Sequence, residues 1–296
     1  MQELKGSFVA LVTPMKSNGE LDFPALKELV EWHIESGTHG LVSVGTTGES
    51  ATLNFNDHVK VLEKTISYID NKIVAIAGTG ANSTEEAIEL GKAASSIGYK
   101  FALSVTPYYN KPSQQGLEAH YIKIADSADI KNILYNVPSR TACDLDPTTV
   151  NKLIHHENIV GIKEAVDDPK RYKALIEMAK HSSKPFYVLS GDDPTFFDFM
   201  KSGGDGVISV AANVIPSQVA KIVITVLNGN TKDAEEVNQS YKKLFELLFI
   251  ESNPIPVKWM LKKMHKIDSG IRLPLTTLQE KNHASIEEEM LKLNLL

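Results

Sequence analysis

Short apolar runs alternate with longer amphipathic stretches along most of this chain, and that alternation leaves few folds open. The runs cover residues 7–13 (SFVALVT), 40–44 (GLVSV), 73–78 (IVAIAG), 101–105 (FALSV), 132–136 (NILYN), 159–164 (IVGIKE), 186–190 (FYVLS) and 206–210 (GVISV). Runs this short, apolar at successive positions, read as strands buried on both faces of a parallel sheet. Between them, stretches such as 23–36, 56–68, 84–97 and 117–128 place apolar residues three and four apart, which predicts helices. Eight strands with intervening helices predict an α/β fold, a closed (β/α)8 TIM barrel rather than a doubly wound open sheet. Beyond about Pro216 the strands stop, and 218–227, 232–249, 256–264 and 285–293 all carry helical spacing. The expected division is a catalytic barrel over 1–226 and a C-terminal helical region over 227–296, and 296 residues suit a barrel with an appendage.

Composition narrows the class of chemistry. With 42% hydrophobic and 23% charged residues the chain reads as an ordinary folded domain. A net charge of -6, with no Lys/Arg cluster and no basic-aromatic stripe, argues against nucleic acid and for a small-molecule substrate. Cys143 is the only cysteine, so no intrachain disulfide can form and a reducing compartment is expected. The opening MQELKGSFVALVTP has an early acidic residue and little apolar length before Pro14, unlike a signal peptide. No apolar run approaches the ~20 residues that span a bilayer. A cytoplasmic location without membrane contact is the expectation. The histidines show neither HExxH nor two-His-one-carboxylate spacing, and no Walker or GxGxxG sequence occurs, so neither a metal nor a nucleotide cofactor is expected.

In a parallel barrel the C-terminal ends of the strands line the mouth where chemistry is built. The residues that a core does not need fall there: GTTGES at 45–50, TPYYNKP at 106–112, YNVPSR at 135–140, SGDD at 190–193 and ISVAANV at 208–214. Each has an ordinary reading beside the functional one. GTTGE is either a turn with Glu49 near a helix start, or a set of hydroxyl and backbone N–H donors suited to a carboxylate. Tyr108 and Tyr109 are rim packing or an interface, Arg140 a surface residue or an anion anchor. Asp192 and Asp193 read better as a capped turn into the helix after Pro194 than as metal ligands.

Lys163 is the sharpest of these features, because an unpaired ammonium inside an apolar strand is costly. An ion pair with Glu164 is awkward, since neighbours on a strand face opposite ways, and a solvated edge strand would make the lysine ordinary. The third reading is an amine nucleophile pointing into the barrel, with Tyr135 at the end of the adjacent strand as its proton shuttle and hydroxyls of Thr46 and Tyr109 completing a relay. A free lysine with pKa ~10.4 is neutral in only a few parts in ten thousand at pH 7, and burial that lowers the pKa to roughly 7 or 8 makes it reactive.

Taken in order, GSFVALVTP, GTTGESATL, AGTGAN, TPYYNKP, YNVPSRT, GIKEA, SGDD, GVISVAANV, SNPIPVKW and RLPL resemble the dihydrodipicolinate synthase family over nearly the whole chain. That family lies within the pyruvate-dependent class I aldolase and lyase superfamily. The resemblance implies a lyase in which Lys163 forms a Schiff base with pyruvate and no separate cofactor is used. It implies Tyr135 as proton donor and acceptor, with Thr46 and Tyr109 in the relay and Tyr109 supplied by a neighbouring subunit of a homotetramer built as a dimer of dimers. Thr47, Gly191 and the backbone at Ile208 would hold the pyruvate moiety, and Arg140 would meet the carboxylate of L-aspartate 4-semialdehyde in the lysine and diaminopimelate route. Ser50, Ala51, His58, Asn82, Glu86 and Tyr108 match a site for feedback by L-lysine, although Phe55 stands where feedback-sensitive bacterial members often carry histidine. The alternatives are another aldolase or lyase of the superfamily, of the N-acetylneuraminate or 2-keto-3-deoxy sugar acid type, or a non-catalytic keto-acid-binding homologue. Arg140 and the paired threonines favour the first reading.

Overall fold

The computed structural model describes residues 3–296; Met1 and Gln2, the first two residues of the expected barrel unit, lie outside the described residues. The chain runs β1 (Gly6–Ala10), α1 (Phe23–Glu35), β2 (Gly40–Ser43), α2 (Phe55–Ile69), β3 (Val74–Gly78), α3 (Thr84–Ile97), β4 (Phe101–Val105) and α4 (Gln114–Ala125). It continues with β5 (Lys131–Asn136), α5 (Pro138–Thr141), α6 (Pro147–Leu153), β6 (Ile159–Glu164), α7 (Pro169–Lys180), β7 (Tyr187–Ser190), α8 (Phe196–Lys201) and β8 (Gly206–Ser209). Four helices follow: α9 (Pro216–Leu227), α10 (Thr231–Leu247), α11 (Ile255–Lys263) and α12 (His283–Lys292). The strands pair in sequence order, all parallel, and β1 pairs with β8, so the sheet closes as the expected (β/α)8 barrel.

Alternation along each strand divides the apolar residues between two layers. Phe8, Val42, Ile76, Phe101, Ile133, Leu189 and Ile208 fill the barrel interior. Val9, Leu41 and Ala77 face outward onto the helices. The outer layer is continuous with Leu244, Phe245, Met260, Ile286 and Met290 of α10, α11 and α12, so the C-terminal helices share the barrel's core.

Boundaries differ from the sequence expectation where a side chain intervenes. The first strand ends at Ala10 rather than at residue 13, because Val12 N donates to Asn213 Oδ1 (3.1 Å) instead of to a neighbouring strand. The helix expected over 117–128 begins at Gln114, since Ser113 accepts from Gly116 N and caps it.

Candidate active site

The strand register brings Tyr135 and Lys163 side by side. Their Cα atoms are paired between β5 and β6, and two residues of a paired position project to the same face. Lys163 Nζ lies 4.3 Å from the centre of the Tyr135 ring, and both residues are buried. Burial pulls the Lys163 pKa from 10.5 down to about 7, with Asp193 opposing the shift and the Arg140 charge assisting it. Burial likewise pushes the Tyr135 phenol up to about 12, against the pull of Arg140 and the Thr46 hydroxyl, so that tyrosine holds its proton at neutral pH.

Neither ordinary reading of Lys163 survives the geometry. A closed barrel has no edge strand. Glu164, the next residue, faces outward, where Arg171 Nε donates to its Oε2 (2.8 Å) and Asn136 Nδ2 donates to its Oε1 (3.1 Å). Arg171 also holds Asp144 through both terminal nitrogens (2.8 and 2.9 Å). Glu164 therefore braces the back of the strand whose front carries the amine. Across β7, Gly191 leaves room for Lys163: a Cβ there would meet Lys163 Cε at 2.8 Å.

Lys163, Tyr135, Thr46, Thr47, Arg140 and Gly191 line one cavity of about 480 Å³ at the C-terminal mouth of the barrel. Ion pairs among the described residues leave Lys163 and Arg140 without a carboxylate partner, and Arg140 is exposed at the opening. Ile208 is packed with Tyr135 and Leu189 in the inner apolar layer, and Val210, two residues on, reaches the lining in its place. Tyr109 does not line its own chain's cavity: it is 90% exposed, with φ of +75°. Tyr108 is half-buried, so only one of the two rim tyrosines presents a ring to solvent.

The residues matched to the feedback site gather beside this cavity. Ser50, Ala51 and Tyr108 line a second cavity of about 420 Å³, which shares Thr46 and Arg140 with the first. Asn82 Nδ2 donates to the Tyr108 carbonyl (3.3 Å), and burial, then the Glu86 charge, raises the Tyr108 pKa. His58 is buried with Nε2 2.8 Å from the Gly78 carbonyl, and burial lowers its pKa. His58, Asn82 and Glu86 lie outside that lining. Phe55, where histidine would match the pattern, is 46% exposed at the start of α2.

Asp192 and Asp193 divide their work. Asp192 accepts from Thr195 Oγ1 (2.6 Å) and so holds the turn ahead of α8. Asp193 turns inward instead, accepting from Val210 N (2.8 Å), Ala211 N (3.1 Å) and the Ser209 hydroxyl, which fixes the end of β8. Sequence reasoning passed over residues 249–253, which line the first cavity, and Asn253, whose Nδ2 donates to Thr47 Oγ1 (2.9 Å). Ser252 and Asn253 belong to the SNPIPVKW motif, but its local sequence does not reveal a place at the cavity, because the partner of Asn253 lies 206 positions earlier. Among the described residues no group of three or more His, Cys, Asp or Glu is placed to hold a metal ion. No helix of the described residues is long and apolar enough to cross a membrane.

A closed (β/α)8 barrel whose mouth holds a buried amine, its pKa lowered to about 7, beside a protonated tyrosine is the frame of a carbonyl-condensing lyase. Residues 3–292 match the dihydrodipicolinate synthetase family, and the chain belongs to that family. It is 50% identical over 287 residues to 4-hydroxy-tetrahydrodipicolinate synthase of Teredinibacter turnerae, a match covering 97% of this chain and 98% of the relative. Among solved structures it is similar to the dihydrodipicolinate synthase of Acinetobacter baumannii complexed with pyruvate: 46% identity, TM-score 0.97, 99% of this chain and 100% of that one. It is also similar to the enzyme of Cyanidioschyzon merolae with lysine bound, at 35% identity and TM-score 0.93, covering 99% of each chain.

Proposed function

We propose that the chain condenses pyruvate with L-aspartate 4-semialdehyde, the 4-hydroxy-tetrahydrodipicolinate synthase reaction of lysine and diaminopimelate biosynthesis, through a Schiff base on Lys163. The observation that carries this reading is the Lys163 amine, brought down to about 7 and set 4.3 Å from the Tyr135 ring. Family membership and the pyruvate complex of a 46% identical neighbour support the keto-acid substrate.

With a pKa of about 7, roughly half of Lys163 is neutral at pH 7. The neutral amine adds to C2 of pyruvate, and Tyr135 gives its proton to the resulting hydroxyl, which leaves as water. The iminium so formed loses a C3 proton to the tyrosinate and becomes an enamine, whose C3 forms the bond to the aldehyde carbon of the acceptor. Tyr135 protonates the new alkoxide and recovers a proton from the acceptor's ammonium. That amine then attacks the iminium carbon, closes the ring and expels Lys163. The iminium is itself the electron sink, so the sequence calls for no separate cofactor.

In this reading Thr46 and Tyr109 relay protons to Tyr135, with Tyr109 reaching from a neighbouring subunit of a dimer that pairs into a tetramer. Thr47, Gly191 and the backbone at Ile208 hold the pyruvate moiety, and Arg140 meets the acceptor carboxylate as a bidentate donor. L-Lysine would bind at Ser50, Ala51, His58, Asn82, Glu86 and Tyr108, and the cell compartment is the cytoplasm. Borohydride trapping with pyruvate tests the imine: a reduced pyruvyl group is expected on Lys163, and labelling of any other lysine overturns the assignment. An acceptor screen with pyruvate held fixed tests the second substrate, and preference for a sugar aldehyde would overturn it.

A further inference from the structure

The β2–α2 loop that carries Thr46 and Thr47 is held in an unfavourable shape. Val44 and Glu49 bracket it, both with left-handed φ (+56° and +61°), which for the β-branched Val44 is a strained conformation. Such a backbone persists only where its surroundings over-determine it. Two residues of the C-terminal region, one on α11 and one in the loop that follows it, supply that constraint. Lys258 of α11, 5% exposed, donates to Glu49 Oε1 and to the Thr13 carbonyl (3.1 Å). Thr13 Oγ1 in turn donates to the Gly48 carbonyl (2.7 Å), and Arg272 N donates to the second Glu49 oxygen (3.1 Å).

The geometry points to Lys258 as a positioning residue for the condensation: its buried pair with Glu49 pegs the strained loop so that the Thr46 and Thr47 hydroxyls face the Lys163 cavity. Lys258 stands outside the cavity lining, and its ammonium reaches the chemistry only through Glu49 and Thr13. A buried pair of this kind is weak evidence for stability on its own account, since apolar replacements of both partners are often tolerated. What an apolar pair cannot supply is the directed donor to Thr13 and the fixed place of the Glu49 carboxylate between Lys258 and Arg272. The C-terminal helices are on this account part of the catalytic apparatus, supplying a peg to the loop after β2.

The proposal rests on the reading of Thr46 as a relay hydroxyl, and the experiment separates the two. Steady-state kcat and KM for both substrates, and the rate of borohydride trapping with pyruvate, are measured for Lys258→Met, Thr46→Val and the double variant, at a temperature where circular dichroism shows each folded. Lys258→Met is expected to lower kcat by roughly tenfold to a hundredfold, the scale at which small displacements of catalytic groups act. The double variant is expected to fall little below the slower single variant, because both changes disable the same hydroxyl. A Lys258→Met enzyme with unaltered kcat overturns the peg, as does a double variant whose loss is the product of the two single losses. Unaltered kcat in Thr46→Val overturns the relay reading instead, and the peg is then judged on Lys258→Met and its trapping rate alone. If Lys258→Met leaves Glu49 buried without its cation and fails to fold, Glu49→Gln/Lys258→Met removes both charges and takes its place. Normal turnover in that pair would equally overturn the peg.

Discussion

Lys163 owes its chemistry to burial, and burial sets the pH range in which it works. Its pKa of about 7 means that about half of the amine is neutral at pH 7 and only a tenth or so one unit lower, so kcat/KM for pyruvate should fall about fivefold between pH 7 and pH 6 and level off well above pH 7. A flat profile across that window, measured by initial rates at saturating acceptor, would show that the attacking amine is not Lys163. Stability moves the same way. Because the folded pKa lies below the unfolded value of 10.5, the unfolded chain binds more protons between about 7 and 10.5. The cost of burying Lys163 is full below pH 7 and vanishes as pH rises through that interval. Arg140 sits at the opposite extreme, exposed at the cavity opening without a carboxylate partner among the described residues. Arg140→Ala should weaken use of aspartate semialdehyde by roughly 2 kcal/mol or more in kcat/KM while leaving borohydride trapping with pyruvate nearly intact. Equal losses in the two assays would mean that the arginine serves the imine rather than the acceptor.

At the scale of elements, the strand that delivers Lys163 is braced from behind by Glu164, whose side chain is wholly buried against Arg171. Arg171→Ala would leave that carboxylate without its cation, at a cost of about 3 kcal/mol or more in urea unfolding at neutral pH. Burial already raises the Glu164 pKa, and losing the guanidinium raises it further, so the deficit should shrink as pH falls and the carboxyl takes up a proton. A deficit independent of pH would assign the loss to packing alone. The strands themselves were legible in the sequence because a parallel barrel buries both faces of each, and runs such as IVGIKE and GVISV announce that without reference to anything distant. Lys163, Tyr135, Thr46, Thr47, Arg140 and Gly191 were legible as strand-end residues that a core does not require, and they line one cavity. The braces were not. Glu49 read as a turn residue because its partner Lys258 lies 209 positions away, and Asn253 meets Thr47 across 206. Glu164 read as a poor partner for Lys163, which is right, yet its true partner Arg171 sits on a helix whose orientation only the closed barrel fixes. Asp193 shared its sequence signal with Asp192, and only the fold turns one toward Thr195 and the other toward the end of β8.

At the scale of the molecule, the site within one chain is incomplete on the proposed mechanism. Thr46 and Tyr135 lie together, while Tyr109 extends from the rim, 90% exposed, on a left-handed backbone that holds it away from its own cavity. A large aromatic ring so presented, with Leu273 79% exposed as well, is better suited to a subunit contact than to water. If Tyr109 enters the neighbour's relay across a two-fold axis, each lesion falls in a different subunit's site. Tyr109→Phe should slow proton transfer yet leave assembly intact, since it removes one hydroxyl and almost no apolar area. Mixing Tyr109→Phe chains with Tyr135→Phe chains then has a distinct arithmetic: in a heterodimer one site inherits both lesions and the other inherits neither, giving about one fully competent site per heterodimer. Activity of the re-associated mixture well above both parents, with heterodimer content measured by native mass spectrometry, is the expected result. A mixture no more active than the average of its parents would place Tyr109 in its own subunit's service, or outside the relay altogether.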